Sequence, residues 1–154
     1  MAVKPVPEGY EGVIPYLSVH DAAAAIEFYR QAFGAVEIMR FTDPSSRVGH
    51  AEIRIGSNVV MLADEHPEMN FLSPRTRGGT PVILHVYVED VDKTAAALKA
   101  AGAEENRALE NQFYGDRTAV FTDPFGHVWH IATRIEELTE DEINQRAAAM
   151  FEED

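Results

Sequence analysis

The chain repeats itself. YLSVHDAAAAIEFYRQAFGA (16–35) and YVEDVDKTAAALKAAGA (87–103) both pass from a strand-like tyrosine segment, through an aspartate, into an alanine-rich helix and a Gly-Ala stop. Tyr16 and Tyr87 are 71 residues apart, as are Asp21 and Asp92. IGSNVVMLA (55–63) and FGHVWHIA (125–132) restate each other, with Gly56 and Gly126 70 apart. A self-similar period restricts a chain to duplicated units that each cover part of a shared core.

Hydrophobic periodicity fills in each copy. In the first, VIPYLSV (13–19), VEIMRF (36–41), GHAEIRI (49–55) and VVMLA (59–63) read as strands. A helix over 21–35 presents Ala25, Ile26, Tyr29, Ala32 and Phe33 on one face, with Asp21 as cap and Gly34 as stop. The second copy has strands at VILHVYV (82–88), near 113–114, at TAVFTD (118–123) and at VWHIAT (128–133), with a helix over 92–103 ended by Gly102. The expectation is α+β: two tandem βαβββ modules in a single domain, 1–154. Module one spans about 10–65 and module two about 81–135. Residues 1–12 read as an arm and 64–80 as a linker or mobile loop, on their prolines, glycines and mixed charge. A C-terminal helix is predicted over 139–151, where Thr139 and Glu142 fit a capping box.

Composition narrows the function classes. Lys plus Arg total 13 against 26 Asp plus Glu, a formal net charge of −13. Such a surface repels phosphate backbones and anionic lipid, so neither nucleic acid nor membrane is an expected partner. With no cysteine, disulfides, thiolate metal sites and cysteine nucleophiles are excluded. No run approaches the length of a membrane span and the N-terminus lacks a leader-like apolar stretch, so a cytoplasmic location is expected.

The motifs PYLSV-x-D (15–21), EFYRQAFGA (27–35), HAEIRIG (50–56), YVEDVD (87–92), YGDR (114–117) and DPFGHVW (123–129) resemble the vicinal oxygen chelate superfamily of glyoxalase I, bleomycin-resistance proteins and extradiol dioxygenases. They are most similar to its PhnB-like bacterial subgroup, over about residues 10–150. The resemblance implies a cup-shaped eight-stranded sheet with helices outside, and a homodimer. In metal-dependent members a divalent ion sits in the cup, held by the first and last strands of each module. The corresponding positions here are Ile14, Met61, Ile83 and His130. Isoleucine cannot coordinate, and a thioether suits hard ions poorly. No metal or other cofactor is therefore expected; the alternative is one divalent ion elsewhere.

Strand alternation sorts the remaining candidates. Ile83, His85, Tyr87 and Glu89 share one face of their strand, with Val82, Leu84, Val86 and Val88 behind. His50, Glu52 and Arg54 share another, backed by Ala51, Ile53 and Ile55. The predicted lining is Tyr16, His50, Glu52, Met61, Ile83, His85, Tyr87, Tyr114, Arg117 and His130. His50, Glu52 and His85 form the alternative metal set, or a hydrogen-bonded polar cluster, and are the catalytic candidates. Arg117 either grips an anionic ligand or bridges to Asp116. Trp129 shares a face with His127 and Ile131 and packs beneath a helix, which leaves His130 on the cup side, separated from His127.

Two functions follow. The first is binding of a small organic molecule in a metal-free cup, as drug-sequestering relatives do. The alternative is a superfamily enzyme, a lyase, isomerase or dioxygenase, using a divalent metal at His50/Glu52/His85 or a metal-free Glu or His general base. Ranked last is a vestigial cup with the acidic segment 139–154 as a partner surface.

Overall fold

The computed structural model describes residues 2–152. Each copy of the repeat builds a four-stranded mixed sheet. In the first, β1 (Tyr16–Val19) leads into α1 (Ala22–Phe33), followed by β2 (Val36–Thr42), β3 (Val48–Ile55) and β4 (Asn58–Asp64). The strand order is β1-β4-β3-β2, with β1 and β4 parallel and the other pairs antiparallel. After a short helix α2 (Pro74–Arg77), the second copy runs β5 (Ile83–Tyr87), α3 (Val91–Ala100), β6 (Glu104–Asn111), β7 (Asp116–Thr122) and β8 (Val128–Arg134), in the order β5-β8-β7-β6. Helix α4 (Glu140–Glu152) closes the chain, and Thr139 Oγ1 accepts from the Glu142 amide at 3.2 Å. No helix among the described residues is long and apolar enough to cross a membrane.

The repeat is tighter than its sequence spacing implies. Asp21 caps α1 by accepting from the Ala24 amide at 3.1 Å. In the second copy the cap is Asp90, which accepts from Lys93 at 3.1 Å; Asp92 lies inside the helix. Asp64 accepts from the Ala22 amide, and Thr133, its counterpart at the end of β8, accepts from the Val91 amide. The two copies thus tie each helix start to the last strand in the same way, with different side chains.

Two predicted elements are corrected. The strand expected near 113–114 is a turn, and the strand is β6, over Glu104–Asn111. β6 is an almost wholly exposed edge strand, EENRALEN, so it carries no apolar alternation to read. Segment 64–80 is also more than a linker. Ser73 is fully buried, caps α2, and with Thr76 donates to the Glu65 carboxylate at 3.2 and 2.7 Å. Backbone bonds between His66 and Phe71 close a tight loop around a single helical turn, Pro67–Met69. The arm 1–12 is fastened at Tyr10, as described below.

The chain divides into two compact units. The first is residues up to Pro81 together with Pro124–Gly126, and the second is the remainder. In the first, Ala25, Ile26, Phe28 and Tyr29 of α1 pack over Leu17, Ile53 and Leu62. Phe125 joins this core, with ring centroids 6.1 Å from Phe28 and 5.3 Å from His20. In the second, α3 covers β7 and β8 over Leu98, Phe121 and Ile131. Trp129 is buried there, and its Nε1–H donates to Asp123 at 2.9 Å. Gly126 has φ +90°, and a Cβ there would lie 2.7 Å from the Pro74 Cβ. Gly126→Ala is expected to cost about 2 kcal/mol from backbone strain and overpacking. A denaturation midpoint equal to wild type would refute that account.

Candidate functional site

The first unit gathers four polar side chains on one sheet face. Register aligns Tyr16, Met61, Glu52 and Met39 in one cross-strand row, and pairs Ser18 with Ala63 and His50 with Phe41 two residues along their strands. The small Ala63 lets Tyr16 reach diagonally over β4. Its hydroxyl lies 2.6 Å from His50 Nδ1, and His50 Nε2 lies 2.7 Å from Glu52 Oε2. The other Glu52 oxygen accepts from the Tyr10 hydroxyl. Glu52 is 8% exposed.

These bonds bear first on Glu52. The hydroxyl of Tyr10 and then the imidazole of His50 hold the Glu52 carboxyl below its ordinary value, outweighing burial. As a carboxylate Glu52 only accepts, so His50 donates through Nε2–H. In the neutral imidazole with its proton on Nε2, Nδ1 is an acceptor and Tyr16 donates to it. Burial first, and then the Glu52 charge, push the Tyr16 phenol above its ordinary value.

Because Glu52 has a depressed pKa in the folded chain, the stability it contributes is present above the unfolded value, about pH 4.3, and is lost as pH falls through the folded value. In Tyr10→Phe that carboxyl should titrate closer to its ordinary value. The variant's stability deficit should be greatest near neutrality and shrink on acidification. Carboxyl-carbon NMR titration with acid denaturation checks this; identical acid limbs for the two proteins would contradict it.

Tyr16 also lines a pocket of about 420 Å³, with Gly49, Ala63, His66, Met69 and Phe71. Phe71 meets the Tyr16 ring edge-on, with centroids 5.5 Å apart and planes at 86°. Three of these walls come from the loop read as a linker. Its mixture of proline, charge and glycine hid them, although an aromatic and a methionine within so polar a stretch were the available signal.

The second unit holds the other candidates. β5 and β8 place His85 beside His130, with their Nδ1 atoms 3.1 Å apart. His130 thus has a partner that the sequence alignment did not supply, because Ile83 stands beside Val128. Burial, and then electrostatic interaction with His85 and Arg107, push His130 below its ordinary value. Ile83, His130 and Tyr114 line a mixed-polarity pocket of about 400 Å³ with Arg107, Glu110 and Gln112. Tyr87 donates to Asp116 at 2.6 Å. Arg117 is held at 3.0 Å by both oxygens of Asp92 and by Asn111, so its bridge is to Asp92 and not to Asp116.

His50 and Glu52 bond to each other in the first unit, while His85 pairs with His130 in the second. Among the described residues no three His, Asp or Glu side chains gather as a set able to hold an ion.

Duplicated βαβββ modules, each closing a four-stranded mixed sheet under a helix, define the vicinal oxygen chelate class. The chain belongs to the Glyoxalase/Bleomycin resistance protein/Dioxygenase superfamily, whose family model matches residues 13–131. The uncharacterized protein Mb0911c of Mycobacterium bovis is 45% identical over 132 residues, covering 84% of this chain and 87% of that protein. Among solved structures, the fold is similar to the fosfomycin resistance protein FosX from Listeria monocytogenes, complexed with Mn(II) and sulfate. The TM-score is 0.63 at 18% identity, covering 86% of this chain and 96% of FosX. It is also similar to the PhnB protein from Bacillus cereus, with a TM-score of 0.62 at 18% identity, covering 80% and 99%.

Proposed function

We propose that this chain binds a small organic molecule in the first unit's pocket, without a resident metal ion. The observation that carries this reading is an apolar and aromatic cavity of about 420 Å³ with one oriented hydroxyl, that of Tyr16. Ligand pockets commonly span about 300–1,000 Å³ and combine apolar walls with a few fixed polar groups. Superfamily membership agrees, since its named members include proteins of drug resistance. The net charge of −13 favours approach of cationic or amphipathic molecules.

The test is a thermal-shift screen of drug-like and metabolite-like compounds. A ligand at a hundred times its Kd stabilises by about 2.7 kcal/mol. The shift should disappear in Phe71→Ala. Stabilisation only by divalent ions, or a ligand shift untouched by Phe71→Ala, would defeat this reading.

We also infer a cytoplasmic homodimer. Edge strand β2 leaves Val36, Met39 and Phe41 exposed, and an uncovered apolar edge invites pairing. A monomer mass by light scattering would overturn it.

A further inference from the structure

The polar cluster behind the pocket is ordered as a relay. Tyr16 is 45% exposed and meets the pocket, His50 follows at 2.6 Å, and Glu52 follows at 2.7 Å. Each imidazole nitrogen has one partner, and the anionic end is the buried one. The hydrogen of Tyr16 is directed to His50, so its oxygen offers lone-pair density to whatever occupies the pocket. A bare phenol is a feeble base. A phenol whose proton passes to an imidazole as it accepts another is a competent one, on the logic by which a histidine backed by a carboxylate activates a serine. Phe71 and the His50 ring, whose centroid lies 5.4 Å from that of Tyr16, flank the phenol ring and restrict its swing.

We propose that the first unit's pocket carries a metal-independent proton-transfer activity, in which Tyr16 is the catalytic residue and His50 and Glu52 are its positioning residues. The step balances without an oxidant or co-reactant. A substrate C–H bond breaks and an O–H bond forms at Tyr16, while the original Tyr16 proton moves to His50 Nδ1. The electron pair stays on the substrate, delocalised into an adjacent electron-withdrawing group. Glu52 holds the new imidazolium through Nε2–H. Return of a proton from Tyr16 to a neighbouring carbon of the delocalised anion, with His50 giving its proton back to Tyr16, completes an isomerisation. The apolar walls of Phe71, Met69 and Ala63 select a small, largely apolar carbon acid with a ring or unsaturated group. This inference rests on the pocket proposed above.

The test uses the whole chain and nitrobenzisoxazole, an apolar aromatic carbon acid. Loss of its ring proton breaks the N–O bond and releases a coloured cyanonitrophenolate. Wild type should show saturable turnover above buffer with metal chelated. Tyr16→Phe and His50→Ala should each lower kcat by about 100-fold, with KM little changed. Added imidazole should restore His50→Ala, and Glu52→Asp should retain more activity than Glu52→Gln, which a merely structural cluster would not do. His50→Gln serves if His50→Ala fails to unfold cooperatively. Probe binding is measured separately on the slow Tyr16→Phe protein by equilibrium dialysis. Binding with no turnover in wild type, or turnover unaffected by Tyr16→Phe, overturns the relay and leaves the pocket standing. Neither binding nor turnover overturns both.

Discussion

Replacing Tyr29 by alanine is expected to lower stability by about 4 kcal/mol, read as a fall in Tm of roughly 8–16 °C. The ring is fully buried at the centre of the first unit's aromatic cluster. Its centroid lies 5.4 Å from Phe28, 6.3 Å from Phe33 and 6.4 Å from Phe125, so truncation opens a cavity bounded by three rigid rings and the sheet. Rings anchored on three different backbone positions collapse poorly into such a space, which places the cost high in the usual range. Tyr29→Phe keeps the shape and should cost far less. A Tm for Tyr29→Ala within about 3 °C of wild type, roughly 1 kcal/mol, would show that this core is not what holds the unit together.

The second large effect is expected at Asp64→Ala, at about 3 kcal/mol. One carboxylate oxygen accepts from the Ala22 amide and the other from the Val48 amide, each at 2.7 Å. The first is at the start of α1 and the second at the start of β3, so one side chain at the end of β4 fastens two elements. Alanine leaves both amides without that acceptor, and each unsatisfied part-buried donor costs about 1–3 kcal/mol. Asp64→Asn keeps one acceptor and should fall between the two. Urea denaturation measures the series, and an alanine variant as stable as the asparagine variant would contradict the two-amide account. Thr133 offers one hydroxyl at the equivalent place, accepting from Val91 and donating to Val88, so Thr133→Val should be milder.

What the sequence disclosed, it disclosed through period. Alternation in GHAEIRI placed His50 and Glu52 together on one face with Ile53 on the other, and the folded strand keeps that division. The aspartate and glycine at the ends of α1 marked its limits. β6 escaped because an exposed edge strand needs no apolar face. Register escaped too. Whether His85 sits beside His130 or two residues away depends on how two parallel strands slide, which backbone bonds decide and neither strand's pattern records. Tyr10 was set aside with a proline- and glycine-rich arm, although its hydroxyl is the first cause of the lowered Glu52 pKa. The pocket wall at His66–Phe71 depends on a buried serine and a shared glutamate, interactions too local and irregular to leave a periodic trace.

The membership of Phe125 in the first unit has a consequence for how the chain is made. Synthesis runs from the N-terminus, so α1, β1, β3 and β4 all leave the ribosome well before Phe125 does. Until it emerges, Phe28, Tyr29 and His20 lack the ring that packs on them. A nascent chain stalled after residue 81 should therefore carry a sticky, incompletely closed first half and depend on chaperone cover. Once the turn at 123–126 has been translated, that half can be sealed. The duplicated architecture suggests two halves able to mature in sequence, but the position of one phenylalanine makes the first wait for the second.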